Sequence, residues 1–80
     1  MKLPRDLAGT ELVKALDRLE YKVSHQTGSH MRLTTQLNGE HHITVPGHDP
    51  IKIGTLNAII RDIASHHNFQ KNELIVLLFS

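Results

Sequence analysis

Residues 30–46, "HMRLTTQLNGEHHITVP", decide the fold. Along an extended strand, successive side chains alternate between two faces. Met31 and Leu33 then share an apolar face, while His30, Arg32 and Thr34 share a polar one. After a break, Ile43 and Val45 repeat the apolar set, and His42 and Thr44 repeat the polar set. Between the two runs stands Asn38-Gly39, a dipeptide suited to the two positive φ angles of a type I′ hairpin turn. The stretch therefore predicts antiparallel strands over 30–36 and 41–46, with one face for a core and the other left polar.

The neighbouring segments extend this pattern. Residues 21–26, "YKVSHQ", alternate again, placing Tyr21 and Val23 on one face and Lys22 and Ser24 on the other. His25 is expected to pack beside the sheet. Thr27-Gly28-Ser29 is a turn signal. Gly28-Ser29-His30-Met31 has the letters of a cleaved-tag remnant, which would carry no fold information. It lies between two strand patterns, however, and Met31 begins the apolar alternation that Leu33 continues, so it is read as native structure. Upstream, residues 9–20, "GTELVKALDRLE", place Leu12, Val13, Leu16 and Leu19 on one helical stripe. Gly9 or Thr10 is the expected cap, with Glu11 favoured in the positive first turn. Downstream, 46–54 reads as loop, and 55–65 as a helix with Leu56, Ile59, Ile60, Ile63 and Ala64 on its apolar stripe. The apolar run of residues 73–79 has no clear period. A short C-terminal helix is preferred there over a strand. The expected class is α+β: helix, three antiparallel strands, helix, with the helices on one face of the sheet.

Composition narrows the function classes. The 80 residues suit one domain, 1–80. There is no cysteine, which excludes disulfides, thiolate catalysis and Cys-based zinc sites, and suits a reducing compartment. Nine Lys and Arg face eight Asp and Glu, so any nucleic-acid contact needs a local patch instead of a global field. Seven histidines add a large titratable reserve near neutral pH. No apolar run approaches the ~20 residues that span a bilayer. The opening "MKLPRDLAGT" lacks an apolar signal core, so a cytoplasmic protein with no membrane association is expected.

The chemistry concentrates on the polar face. His30 opens a strand straight after a Gly-Ser turn, and Arg32 follows two residues on, hence on the same face. Gly28 permits a sharp turn, and Ser29 offers a hydroxyl and an N–H beside the imidazole. An imidazole moves protons near neutral pH, and a guanidinium grips phosphate with two prongs. Read alone, the pair also suits an ordinary solvated strand. His41 and His42 point to opposite faces and so are unsuited to one metal. His42 joins the polar face, and loop residue His48 is within reach of it. His66-His67 ends the second helix, where cations complement the dipole. No HExxH, carboxylate pair or Gly-rich phosphate loop is present, so neither a metal nor a cofactor is expected.

An ordered set of segments then carries a family resemblance. "TELVKALDRLEYKV" leads into "GSHMRL", and "HHITVPGHDPIKIGTLNAIIRDIA" follows. This set resembles the HicA-type, or YcfA-like, toxins of bacterial toxin–antitoxin pairs, most strongly over residues 9–65. The resemblance implies a fold like that of double-stranded-RNA-binding domains, and endoribonuclease cleavage of mRNA that inhibits translation and growth. It implies that the histidine of the Gly-Ser-His turn, His30, is catalytic, and that a HicB-type antitoxin is the partner. Gly28, Ser29 and Arg32 are candidate supports of that site by position alone. Lys22, Arg32, His42, His48 and Lys52 are candidate RNA contacts. The chain departs from the family's usual pattern at Thr27, where a basic residue is common, and at Ile53 before Gly-Thr-Leu.

Two other readings compete. A non-catalytic RNA-binding module of the same fold predicts salt-sensitive binding of intact RNA. A histidine-based metal protein predicts retained zinc, but the scattered histidine spacing argues against it.

Overall fold

The computed structural model describes residues 3–80. Helix α1 (Gly9–Leu16) runs into a 3₁₀ turn (Asp17–Leu19) and is followed by strands β1 (Lys22–Thr27), β2 (His30–Thr35) and β3 (His41–Pro46), then helices α2 (Ile53–His67) and α3 (Lys71–Phe79). The sheet is antiparallel throughout, in the order β1-β2-β3. The expected α+β order holds, and the uncertain tail is a full helix. No helix of the described residues is long and apolar enough to cross a membrane.

The alternation read in β2 and β3 decides the layering. Met31, Leu33, Ile43 and Val45 are all buried, and they meet Leu12, Leu16, Leu56, Ile60, Ile63, Leu74 and Ile75 from the helices. Each fully buried aliphatic side chain stabilises the fold by about 1.5–3 kcal/mol relative to exposure. α3 contributes Leu74, Ile75 and Leu78 to the core, while Val76 and Leu77 face outward. That one-sided burial explains why its sequence shows no period: both faces are apolar, and only one is used.

Several local expectations are corrected. The first helix does not reach residue 20: it tightens to 3₁₀ geometry at Asp17, and Glu20 adopts a left-handed φ of 62° that turns the chain into β1. Its N-cap is Ala8, not Gly9 or Thr10. Alanine has no side-chain acceptor, so the end is closed from one side only, by Ala8 N–H donating to Glu11 Oε1 at 2.9 Å. The second helix begins at Ile53, two residues earlier than expected.

The β2–β3 connection is also wider than a two-residue hairpin. Thr35 pairs with His41, so residues 36–40 form the loop. Asn38 and Gly39 do have positive φ, at 59° and 94°, but the closing bond runs from Gly39 N–H to Gln36 O at 3.1 Å. Tertiary bonds hold the wider loop open. His66 Nε2–H donates to Gly39 O at 3.1 Å and Leu37 O at 3.3 Å. Buried Thr35 donates to Leu19 O at 2.8 Å and accepts from Leu37 N–H at 3.1 Å.

The largest correction is in β1. Register slips between Val23 and His25, so Val23 faces Leu33 while His25 faces Arg32. Ser24 is the extra residue, its hydroxyl bonded to Arg32 O at 3.2 Å and Thr34 Oγ1 at 3.0 Å. A bulge of one residue reverses the facing of everything beyond it. His25 is therefore not packed beside the core but lies exposed on the polar face. Val23 stays on the apolar side, on the edge strand of the sheet, yet is 45% exposed. Tyr21, just before the strand, is 1% exposed.

Candidate functional site

The turn that presents His30 is built by Gly28. β1 ends at Thr27 and β2 begins at His30, leaving Gly28-Ser29 as a two-residue connection. Gly28 has φ +53° while Ser29 stays at negative φ, which matches the II′ pattern of a positive first central residue. The turn puts His30 at the mouth of the central strand, exposed and opposite Pro46 in β3.

A loop is then locked against this turn. Gly47 N–H donates to Ser29 O. A Cβ on Gly47 would stand 2.6 Å from that same oxygen, so only glycine lets the two backbones approach this closely. The next residue, His48, is anchored by its own carbonyl, which accepts from Gly9 N–H at 2.9 Å. Ile51 N–H donates to Leu7 O at 2.7 Å and fixes the far end of the loop. Strand end, turn, loop and the start of α1 thus hold one another.

The result is a groove of about 360 Å³ lined by His30, Thr44, Pro46, His48, Lys52 and Thr55. Lys52 is the N-cap of α2, whose first turn carries no acidic residue. The partial positive charge of that helix end adds to the lysine. Two imidazoles, an ammonium and a helix N-terminus around one open groove suit a phosphate group.

Thr44 also lines a neighbouring groove of about 380 Å³, with Arg32, His42, Ala58, Ile59 and Asp62. The polar face therefore runs as a continuous path from His48 and His30 towards His42. Cross-strand pairing sets the spacing: His30 opposes Pro46, Arg32 opposes Thr44, and Thr34 opposes His42. His42 lies opposite Thr34, four residues along the ladder from His30, or about 13 Å at ~3.3 Å per residue, too far to share one phosphate. It is also engaged locally. Its Nε2–H donates to Glu40 Oε2 at 2.8 Å, and its Nδ1 hydrogen-bonds Thr34 Oγ1 at 2.8 Å. That contact, with a second from Gln36, holds the Glu40 carboxyl below its usual range.

The other candidates divide clearly. Lys22 opposes Thr34, at the end of the sheet away from His30, and its ammonium is paired with Asp17. Ion pairs of the described residues join Lys22–Asp17, His41–Asp62 and His42–Glu40. Arg32 and Lys52 take part in none of these. His25, which the sequence pattern assigned to packing, joins the site's face instead. It lies opposite Arg32, with Nε2 hydrogen-bonded to Thr27 Oγ1 at 2.8 Å. Only a signal for the bulge would have revealed it.

A second histidine cluster lies on the other side of the sheet's end. His67 is buried, so it does not serve as the expected cationic end of α2. Burial, with His66 and His41 nearby, lowers its pKa below the ordinary histidine value and keeps it neutral. The bonds form one directed chain. Asn38 Nδ2 donates to His67 Nδ1 at 3.1 Å, so the His67 proton sits on Nε2 and goes to Tyr21 Oη at 3.0 Å. Tyr21 O–H then donates to His41 Nδ1 at 2.7 Å, and His41 Nε2–H donates to Asp62 Oδ1 at 3.2 Å. His66 stacks on His41 with ring centroids 4.3 Å apart. Burial, and then Asp62, push the Tyr21 hydroxyl well above its ordinary pKa. Both ring nitrogens of His41 and His67 and the Tyr21 hydroxyl are bonded within the protein, so the chain's work is structural: it clamps α2 to the sheet. Among the described residues, no group of three His, Asp or Glu side chains is arranged to hold a metal ion.

No curated protein and no solved structure matches the chain. One protein family does, the HicA toxin of bacterial toxin–antitoxin systems, over residues 9–64. That span begins at the first residue of α1 and ends within α2, so it contains the sheet, the Gly28-Ser29 turn, the His48 loop and Lys52. A match over this much of the chain identifies it: the protein belongs to the HicA toxin family, and is the toxin of a bacterial toxin–antitoxin system.

Proposed function

We propose that the protein is a metal-independent endoribonuclease that cleaves mRNA and so arrests translation and growth, with His30 as its catalytic acid–base residue. The observation that carries this reading is the groove shared by His30, His48, Lys52 and Thr55 at the N-terminus of α2. RNA carries a 2′-OH beside each phosphate. A neutral imidazole takes that proton as the 2′-oxygen attacks phosphorus, and an imidazolium protonates the departing 5′-oxygen. One well-placed acid–base group contributes about 10²–10⁴-fold. Lys52, Arg32 and the helix end would stabilise the charge that gathers on the phosphorane oxygens. Arg32, His25 and His42 along the polar face would hold the strand on one side of the cut, mainly through phosphates and 2′-OH groups. Gly28 and Ser29 shape the turn that presents His30. Lys22 is a peripheral contact at most, being at the far end of the sheet and paired with Asp17. We assign the protein to the cytoplasm, where mRNA is, and expect a HicB-type antitoxin to cover the His30 groove.

Induced expression in a bacterial host tests this reading. Growth and bulk mRNA should collapse with the wild-type chain and recover when the antitoxin is co-expressed. The His30→Ala chain, present at the same level, should leave both intact. Equal arrest by His30→Ala would refute the assignment of the site.

A further inference from the structure

We infer that His48 is the second acid–base group of the cleavage reaction, working with His30 across the groove they share. This rests on the ribonuclease reading above and deepens it. A single imidazole must handle both proton transfers in turn, whereas two imidazoles can act in one step. The geometry supplies the second. His48 lines the same groove as His30, and its backbone is fixed rather than free: Gly47 N–H is bonded to Ser29 O, and His48 O is bonded to Gly9 N–H at 2.9 Å. Gly47 is the device that makes the approach possible, since any Cβ there would stand 2.6 Å from Ser29 O. The fold thus brings the backbone of the His48 loop directly onto the turn that carries His30.

The other histidines do not fill this role. His42 is four cross-strand pairs away and bonded to Glu40 and Thr34. His41, His66 and His67 belong to the clamp around Tyr21. His25 lies on β1 with its Nε2 bonded to Thr27, and it does not line the groove. The groups facing His48 across the groove are His30, Lys52 and the hydroxyls of Thr44 and Thr55. None of these lining groups is a carboxylate; the nearest acid in sequence, Asp49, does not line the groove.

The step balances without another reagent. One imidazole, unprotonated, accepts the 2′-OH proton. The 2′-oxygen bonds to phosphorus as the bond from phosphorus to O5′ breaks. The other imidazole, protonated, gives its proton to O5′. The products are a 2′,3′-cyclic phosphate and a 5′-hydroxyl end, and solvent restores both histidines to their starting states.

The test uses the purified full chain and two short RNA substrates. One is natural. The other has sulfur in place of the bridging 5′-oxygen, a leaving group that departs without a proton. His30→Ala and His48→Ala should each cut the natural RNA about 10²–10⁴-fold more slowly than wild type. Circular dichroism should show both variants folded, since neither side chain is buried. Wild type should show a bell-shaped dependence of rate on pH, and each variant should lose a different limb. The sulfur substrate should restore near-wild-type cleavage to one of the two variants and not to the other. Wild-type activity with His48→Ala within about threefold of it would overturn the inference while leaving the ribonuclease reading standing. A slow His48→Ala that keeps both limbs, with the sulfur substrate rescuing neither variant, would also overturn it and reduce His48 to a binding residue. If wild type cleaves neither substrate, the ribonuclease reading itself fails, and the inference with it.

Discussion

Replacing Tyr21 with phenylalanine should destabilise the protein sharply while leaving the His30 groove intact. Tyr21 is 1% exposed, and its hydroxyl is the middle link of the chain from Asn38 to Asp62. Removing that oxygen leaves His67 Nε2–H without an acceptor in a residue only 7% exposed. A buried polar group left unpaired costs about 1–3 kcal/mol. His41 Nδ1 loses a donor as well, but it lies nearer solvent, so its loss is close to the net worth of one hydrogen bond, about 1 kcal/mol. The expected total is about 3 kcal/mol, a large share of the ~4–12 kcal/mol typical of a domain this size. For such a domain 1 kcal/mol moves Tm by about 4–8 °C, so the loss should be roughly 12–24 °C. Thermal unfolding followed by circular dichroism at pH 7.5 measures it, with urea denaturation checking that the slope m is unchanged. At a temperature where both proteins are folded, RNA cleavage should be equal, because no residue of the clamp lines the His30 groove. A Tm loss under about 3 °C would refute the claim that this chain of bonds holds α2 to the sheet.

The same clamp sets the pH range of stability. His67 has a lowered pKa in the folded state, so below about 6.5 the unfolded chain binds a proton that the native chain resists. Stability should therefore rise with pH through that window and be lost as the medium is acidified, an effect that His67→Phe should flatten. Tyr21 is raised instead, so above about pH 10 the unfolded chain releases a proton that the native chain keeps, and stability should fall again. Gly47→Ala should push the His48 loop off the Ser29 carbonyl; a displacement near 1 Å can cost about 10²-fold in rate, and single-turnover cleavage should show it with the fold retained. Arg32→Ala should weaken RNA binding and lower the dependence of log affinity on log salt by about 0.7–1, as expected for one lost phosphate contact.

Much of the architecture could be read from local pattern. The alternation of Met31 and Leu33 against His30 and Arg32 is strict, and a strand buried on one face must keep that register. The stripe of Leu56, Ile59, Ile60 and Ile63 is equally direct, because α2 is amphipathic and buries one side. What escaped local reading was set by contacts distant in sequence. Ser24 is an ordinary strand residue until its hydroxyl finds Arg32 O and Thr34, and the bulge it occupies turns His25 from the apolar to the polar side. Asn38-Gly39 has the φ angles of a tight hairpin, but His66 and Thr35 hold a wider loop from outside it. His66-His67 looks like a cationic helix end by position, and only the packing of Tyr21 and Asn38 beside it makes His67 a buried neutral link. Within the site, His30 and Arg32 were legible from strand alternation. The joining of His48 and Lys52 to His30 depends on a loop held by backbone bonds, which side-chain patterning does not encode.

The most direct test of the central claim is cleavage of a defined mRNA by the purified protein, wild type beside His30→Ala, in the presence of EDTA. Both should first be shown folded by circular dichroism. The account predicts cleavage by wild type, undiminished by the chelator, and a loss of about 10²–10⁴-fold on His30→Ala. Equal cleavage by the two proteins, or cleavage by wild type that EDTA abolishes, would contradict it.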